Sequence, residues 1–274
     1  MDYEKEKTPF QQHQQTPETP PSLPPPPPYE AATQHAEEAD AHHQHRASAL
    51  PPTINGYFSW TSASTVHLGP TRDARTHALK IHSTLFSSRR TLALHAAGPD
   101  TSSAVPLARV HSKGCRNEFS VEVPGDDAVI VWVRGVKTGR VSEAARFEVD
   151  VGGGEGGGGR REVFEWRTSR GEDVKEVGAG GLSFGWKLVR LDGPEGAAPP
   201  VVEESGGGGR RGVASGGGEV VAVVAHNASL SATKGLRFAF LGSGLAGAFG
   251  ELWEVVALAS GLRLWYQDFE RLGS

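Results

Sequence analysis

The stretch from Phe249 to Phe269 limits this chain more than any other, because Leu252, Trp253, Val255, Val256, Ala257, Leu258, Ala259, Leu262, Leu264 and Trp265 leave it almost no polar face. A helix that is apolar all round has to be surrounded. Its fully apolar part, Leu252 to Trp265, would span about 21 Å at the helical rise per residue. A bilayer core asks for about 20 apolar residues, and a shorter run reads as a buried core helix. The sequence therefore predicts no transmembrane span, and an interfacial membrane helix would need a strongly charged face that this run lacks. Glu254 falls in the expected first turn, where the helix dipole favours a carboxylate. Arg263, Asp268, Glu270 and Arg271 mark the end expected to emerge into water. Gly261 stands in mid-run, where it costs about 1 kcal/mol relative to Ala. Its presence predicts that a strand or a bulky aromatic approaches the helix backbone there.

Upstream, between Asn55 and Leu241, the period changes to two. Leu79, Ile81 and Leu85 alternate with Lys80, His82 and Thr84, and Phe119, Val121 and Val123 alternate with Glu118, Ser120 and Glu122, the mark of half-buried antiparallel strands. Val129 to Val133 is apolar on both faces and is expected at the centre of the sheet, and Arg146 to Val151 alternates again. Val163 to Arg167, Phe184 to Leu191, Glu219 to Ala225 and Leu236 to Leu241 extend the series to roughly ten strands, at the spacing of an all-β sandwich or barrel. No helix is expected among them. Gly152 to Gly159 and Gly206 to Gly218 fall between strands and read as flexible loop insertions at 152–159 and 206–218. The expected layout is a β domain over residues 53–274 with a terminal helix at about 247–270.

Residues 1–52 belong to no core. They are rich in Gln, His and Pro, and Asp2, Glu4, Glu6, Glu18, Glu30, Glu37, Glu38 and Asp40 outnumber Lys5, Lys7 and Arg46. A segment so poor in branched apolar residues cannot offset its ordering entropy and is expected to be disordered. The formal net charge of −4 therefore resides mainly in this tail. The near-neutral body lacks the uniform positive field of general nucleic-acid binders. Within the tail, Pro24 to Pro28 followed by Tyr29 is a polyproline II segment, and Pro26-Pro27-Pro28-Tyr29 is the PPxY pattern read by WW domains. A preformed extended helix costs little entropy to bind, and the tyrosine fills a second pocket. The alternative reading is a plain spacer. His42, His43 and His45 form a solvated tract without the acidic or thiolate ligands of a metal site.

Cys115 is the only cysteine, so this chain alone makes no disulfide and no thiolate zinc site, and a reducing, cytoplasmic compartment is the expected setting. The acidic opening, Met1-Asp2-Tyr3-Glu4-Lys5, does not read as a secretory signal. Asn227-Ala228-Ser229 is then an idle glycosylation match.

Three patterns touch on chemistry. Gly242-Ser243-Gly244-Leu245-Ala246-Gly247 is a formal GxGxxG between an apolar strand and a helix, with Asp268 downstream. That fingerprint works within a parallel sheet linked by crossover helices, and the strands upstream carry none. The glycines are better suited to a sharp turn from the last strand into the middle of the fold. Ser231-Ala232-Thr233-Lys234 matches SxxK but lacks its companion motifs. The histidines His67, His77, His82, His95, His111 and His226 show no ligand spacing, and most are expected at strand surfaces. The pairs Arg89-Arg90, Arg160-Arg161 and Arg210-Arg211 lie in expected turns. If those turns share one end of the sheet they make a basic rim for lipid phosphates; if not, they are ordinary solvated charges. No cofactor site is expected.

Phe164-Glu165-Trp166-Arg167, the run Gly185 to Leu191 and Gly250-Glu251-Leu252-Trp253-Glu254-Val255, with the strands-then-helix layout from Tyr57 onward, resemble the tubby C-terminal-like superfamily. That group includes tubby, the LURP-one-related proteins and the phospholipid scramblases, and the three motifs are most similar to those of uncharacterised fungal members. The resemblance implies a mainly β fold, a closed antiparallel barrel around one apolar C-terminal helix, with binding to phosphoinositide head groups or action at membranes. None of the tubby lipid-binding residues can be matched here, and the long apolar segment and cysteine-rich sites of scramblases are missing. Three functions follow as expectations: a non-enzymatic adaptor recruiting a WW-domain partner such as a ubiquitin ligase, a peripheral module for anionic lipid head groups, and, least favoured, a nucleotide-dependent oxidoreductase on Gly242, Gly244 and Gly247.

Overall fold

A computed structural model of the chain describes residues 50–59, 62, 64–83, 89–96, 105–113, 117–138, 142–152, 159–178, 183–191, 218–226 and 234–273. The chain divides into two units, Met1–Gln44 and His45–Ser274, and every described residue lies in the second.

Twelve strands follow one another: β1 (Thr53–Phe58), β2 (Thr65–Gly69), β3 (His77–Ser83), β4 (Arg89–Ala96), β5 (Ala108–Lys113), β6 (Phe119–Val123), β7 (Val129–Thr138), β8 (Ser142–Val151), β9 (Arg160–Ser169), β10 (Gly185–Arg190), β11 (Glu219–His226) and β12 (Lys234–Phe240). Each pairs antiparallel with the next. β12 then pairs with β1, Thr53 opposite Ala239 and Ile54 opposite Phe238, so the sheet closes into a barrel. Closure leaves no outer edge strand to template aggregation.

The lumen is filled by the helix that the apolar run anticipates. A four-residue turn of helix, α2 (Gly242–Leu245), follows β12, and α3 (Glu251–Gly273) then runs back through the barrel. At 23 residues, α3 is about 34 Å long. It packs against β5, β6, β8, β10, β11 and β12, and every residue from Trp253 to Trp265 is buried. α3 enters where β12 ends, here termed the entry end, and leaves where β12 begins, the exit end. At the entry end Phe164 stacks among Phe147, Phe249 and Trp253 at centroid distances of 5.6, 5.2 and 5.5 Å. At the exit end Phe58 meets Trp265 and Phe269 at 5.8 and 5.0 Å.

At Gly261 the helix passes close to the wall. A Cβ there would stand 3.0 Å from Trp166 Cζ2 and 3.3 Å from Phe238 Cε2, which is the aromatic approach its position foretells. The same indole donates its N–H to Ser260 Oγ at 2.9 Å, and Ser260 donates to the Ala257 carbonyl at 3.2 Å. One turn of α3 thus satisfies the buried polar atom that Trp166 brings into the core.

Five expectations need correction. Arg263 does not mark an emerging end: it is 1% exposed, with Cζ 5.9 Å from the centre of the Phe119 ring. The start of β7 is not covered on both faces, since Ile130 and Trp132 are 57% and 64% exposed. A helix, α1 (Glu172–Gly178), does interrupt the strands. It rests Val174 and Val177 on the outer face of β10–β12, over Val189, Val220, Val223, Ala225 and Ala239. His77 and His95 are buried rather than surface positions. Arg89-Arg90 and Arg160-Arg161 open strands and do not sit in turns. Among the described residues no helix is long and apolar enough to cross a membrane.

Candidate functional site

Pro26, Pro27 and Tyr29 lie outside the described residues, as do Arg210 and Arg211. The remaining arginine pairs do not form one rim. Arg90 stands opposite Ser83 at the exit end, where it pairs with Glu270 of α3. Arg160 and Arg161 lie beside Val151 and Asp150 at the entry end, the first paired with Glu162 and the second 3.1 Å from Glu148. Arg89 occupies the ladder position opposite Lys113, also at the exit end.

The glycine motif makes a turn whose anion position is already taken. Ser243 donates its backbone N–H at 2.7 Å and its hydroxyl at 2.6 Å to the Glu219 carboxylate. Gly242 and Gly247 hold φ of +50° and +68°, conformations that L side chains rarely adopt. A Cβ on Gly244 would stand 2.3 Å from the Val221 carbonyl oxygen. These glycines let the chain fold tightly against β11 before it turns into the lumen. A dinucleotide phosphate at this turn would meet a carboxylate.

Glu219 belongs to a polar network at the entry mouth. Arg190 donates to Glu162 through Nε at 2.5 Å and Nη2 at 2.7 Å, lies 3.7 Å from Glu219, and places Cζ 5.0 Å from the centre of the Phe249 ring. Arg160 adds a second guanidinium to Glu162. Arg160, Arg190, Glu162 and Glu219 are thus each engaged within the fold.

The outer wall is different. Side chains alternate in and out along each strand, and α1 covers the outside of β10–β12 only. On β7, Ile130, Trp132 and Arg134 follow one another on the uncovered face. Arg134 stands directly opposite Arg146 of β8, a like-charge pairing that destabilises a sheet by roughly 0.2–1 kcal/mol. Arg146 in turn stands opposite Glu165, and Arg167 opposite Lys187. Glu165 is buried and accepts from Arg146 Nε and Nη2 at 3.0 and 2.6 Å and from Arg167 Nε at 2.7 Å. Burial works to raise its pKa, but the hydrogen bonds and charges of Arg167 and Arg146 outweigh this and hold the carboxyl below its usual range. Two arginines thus hold one ionised carboxylate, and two further cations, Arg134 and Lys187, stand beside those arginines in the ladder, making no ion pair among the described residues. On the far side of Trp132, Glu122 binds His111 at 3.0 Å and Arg109 at 3.1 Å. The His111 hydrogen bond is the main cause of a lowered pKa at Glu122.

No protein-family model matches this chain, and neither a curated protein nor a solved structure does. Among the described residues no three or more His, Cys, Asp or Glu are grouped to hold a metal ion. Of Ser231-Ala232-Thr233-Lys234, only Lys234 is described, where it opens β12. The wall was missed from sequence because Val129 to Val133 reads the same whether its second face is covered or bare. The available signal was Trp132 followed at two-residue spacing by Arg134, one face of a strand carrying an aromatic and a charge.

Proposed function

We propose that this chain is a non-enzymatic binding or adaptor protein of the cytoplasm. It would be built on a tubby-like barrel that meets its partners on the outside, with the motif Pro26, Pro27 and Tyr29 recruiting a WW-domain protein such as a ubiquitin ligase. The observation that carries this reading is the filled lumen. Trp166, Trp186, Trp253 and Trp265 are all buried around α3, and the glycine turn is engaged by Glu219, so interior and turn are spent on the fold itself. The antiparallel closure around an apolar C-terminal helix is also the layout that the tubby resemblance implies. The test is capture of an isolated WW domain by the full chain. Wild type should retain it and Tyr29→Ala should abolish capture; equal capture by both, or none by either, overturns the adaptor reading.

A lipid-head-group reading draws less support, because Arg90 and Arg160-Arg161 lie at opposite ends and are each paired with carboxylates. An oxidoreductase using Gly242, Gly244 and Gly247 would have to displace Glu219. It requires a nicotinamide cofactor to raise the melting temperature in proportion to occupancy.

A further inference from the structure

The geometry points to the outer wall of β7–β9, bounded by Lys187 of β10 beside the strip that α1 covers, as the docking surface for an extended acidic segment of a partner protein, with one apolar side chain seated on Trp132 and Ile130. This inference rests on reading the chain as a binding protein and adds where, and to what chemistry, the barrel binds. Ile130 and Trp132 are large, adjacent on one strand face, and more than half exposed. The next outward residue is Arg134, from which Arg146, Arg167 and Lys187 continue across three further strands. Trp and Arg are the residue types that dominate protein interface hot spots.

Glu165 gives this surface its preorganisation. It fixes Arg146 and Arg167 through their Nε atoms and one Nη2, which leaves further guanidinium N–H groups of both to face a ligand. Arginine forks held this way favour planar carboxylates or phosphates. Strands lie about 4.8 Å apart and Lys187 stands two residues along from the row of Arg134, so Arg134 to Lys187 spans about 16 Å. An extended chain covers that in about four to five residues, and its side chains face one way at every second position. The matching segment therefore carries acidic residues at i, i+2 and i+4 beside an apolar one.

An anionic bilayer fits the same surface less well. Asp126 and Asp127 are exposed in the turn just before β7, and Glu148 and Asp150 are exposed on the outward face of β8. A flat membrane engaging Ile130 and Trp132 would meet these carboxylates, whereas a narrow segment running towards Lys187 leaves them in water.

The test uses the full chain and a fluorescein-labelled peptide, Phe-Gly-Glu-Ser-Glu-Ser-Glu, read by anisotropy. The control peptide has Gln in place of each Glu. Binding of the acidic peptide should weaken as salt rises from about 50 to about 300 mM, and the control should not bind. The double variant Arg134→Glu, Lys187→Glu should lose about tenfold or more in affinity, and Trp132→Ser about fivefold or more. None of these side chains is buried, so thermal unfolding should stay cooperative in both variants and establish that each is folded, with the double variant no less stable than wild type because it removes the like-charge pairings opposite Arg146 and Arg167. Equal affinity in wild type and the double variant, or no binding by wild type, overturns the proposal. So does flotation of wild type with phosphatidylserine vesicles that Trp132→Ser abolishes, which would make the wall a membrane site. Capture of a WW domain should be indifferent to all three substitutions, so failure here is separable from failure of the PPxY reading.

Discussion

Glu162 and Glu165 lie three residues apart on β9 and are equally buried, at 1% exposure, yet one faces the entry mouth and the other the outer wall. Around Glu162, two arginines and a neighbouring carboxylate close on one another, and a hydroxyl, a backbone N–H and the Phe249 ring complete the set. Around Glu165, two arginines are held but their outer faces remain in solvent, and two further cations stand beside them with no carboxylate partner among the described residues. A buried charge whose partners are all internal secures a fold. One that gathers more positive charge than it neutralises prepares a surface for something else.

The largest effect expected on this comparison is at the mouth. Arg190→Ala removes the counter-ion that Glu162 and Glu219 share, leaving Glu162 to the half-exposed Arg160 and Glu219 to Ser243, and should cost about 3 kcal/mol in urea unfolding. Gly261→Leu should come next, at about 2–3 kcal/mol, because the new side chain must displace the Trp166 and Phe238 rings. A neutral result would mean that this side of α3 is open. Arg146→Ala should cost less, about 1–2 kcal/mol, since Arg167 still holds Glu165. If it costs as much as Arg190→Ala, wall and mouth are the same kind of structure and the contrast fails. Arg134→Ala should change stability by no more than about 0.5 kcal/mol, in the stabilising direction, by relieving the pairing opposite Arg146.

Acid sharpens the contrast in another way. Burial lowers the pKa of His77, and that of His67 is lowered by burial and then by the charge of Arg75. For both, the unfolded chain takes up protons first, so stability should begin to fall as pH drops below about 6.5. Glu165 has a depressed folded pKa, so its contribution is complete above the ordinary carboxyl range and is lost as pH falls through the folded value. His77→Gln should remove part of the upper segment of the acid curve and leave the lower one, as measured by urea midpoints between about pH 7 and 3.

Local pattern made α3 and most strands legible, because an all-apolar run and a period of two are written in consecutive residues. The mid-helix contact at Gly261 was legible too, since a glycine in a good helix asks for a reason. What local pattern could not carry is which parts come together. Arg263 looks like a helix end emerging into water until the ring of Phe119, far away in sequence, is placed beneath it. α1 carries only two buried valines in seven residues, too few for a period to register. The arginine pairs fell at opposite ends for a topological reason. In an up-and-down barrel the connections after odd-numbered strands lie at one end and those after even-numbered strands at the other. With roughly ten strands read where there are twelve, parity could not be assigned.

The position of α3 after all twelve strands also sets an order of events in synthesis. The wall is made before the element that fills it, so the inward faces of β1–β12 have nothing to pack on while the chain is still being extended. Productive closure, which joins β1 to β12 and encloses α3, therefore waits until α3 itself has been made. Until then, shielding those apolar faces from other chains is a task for the cell's holding machinery.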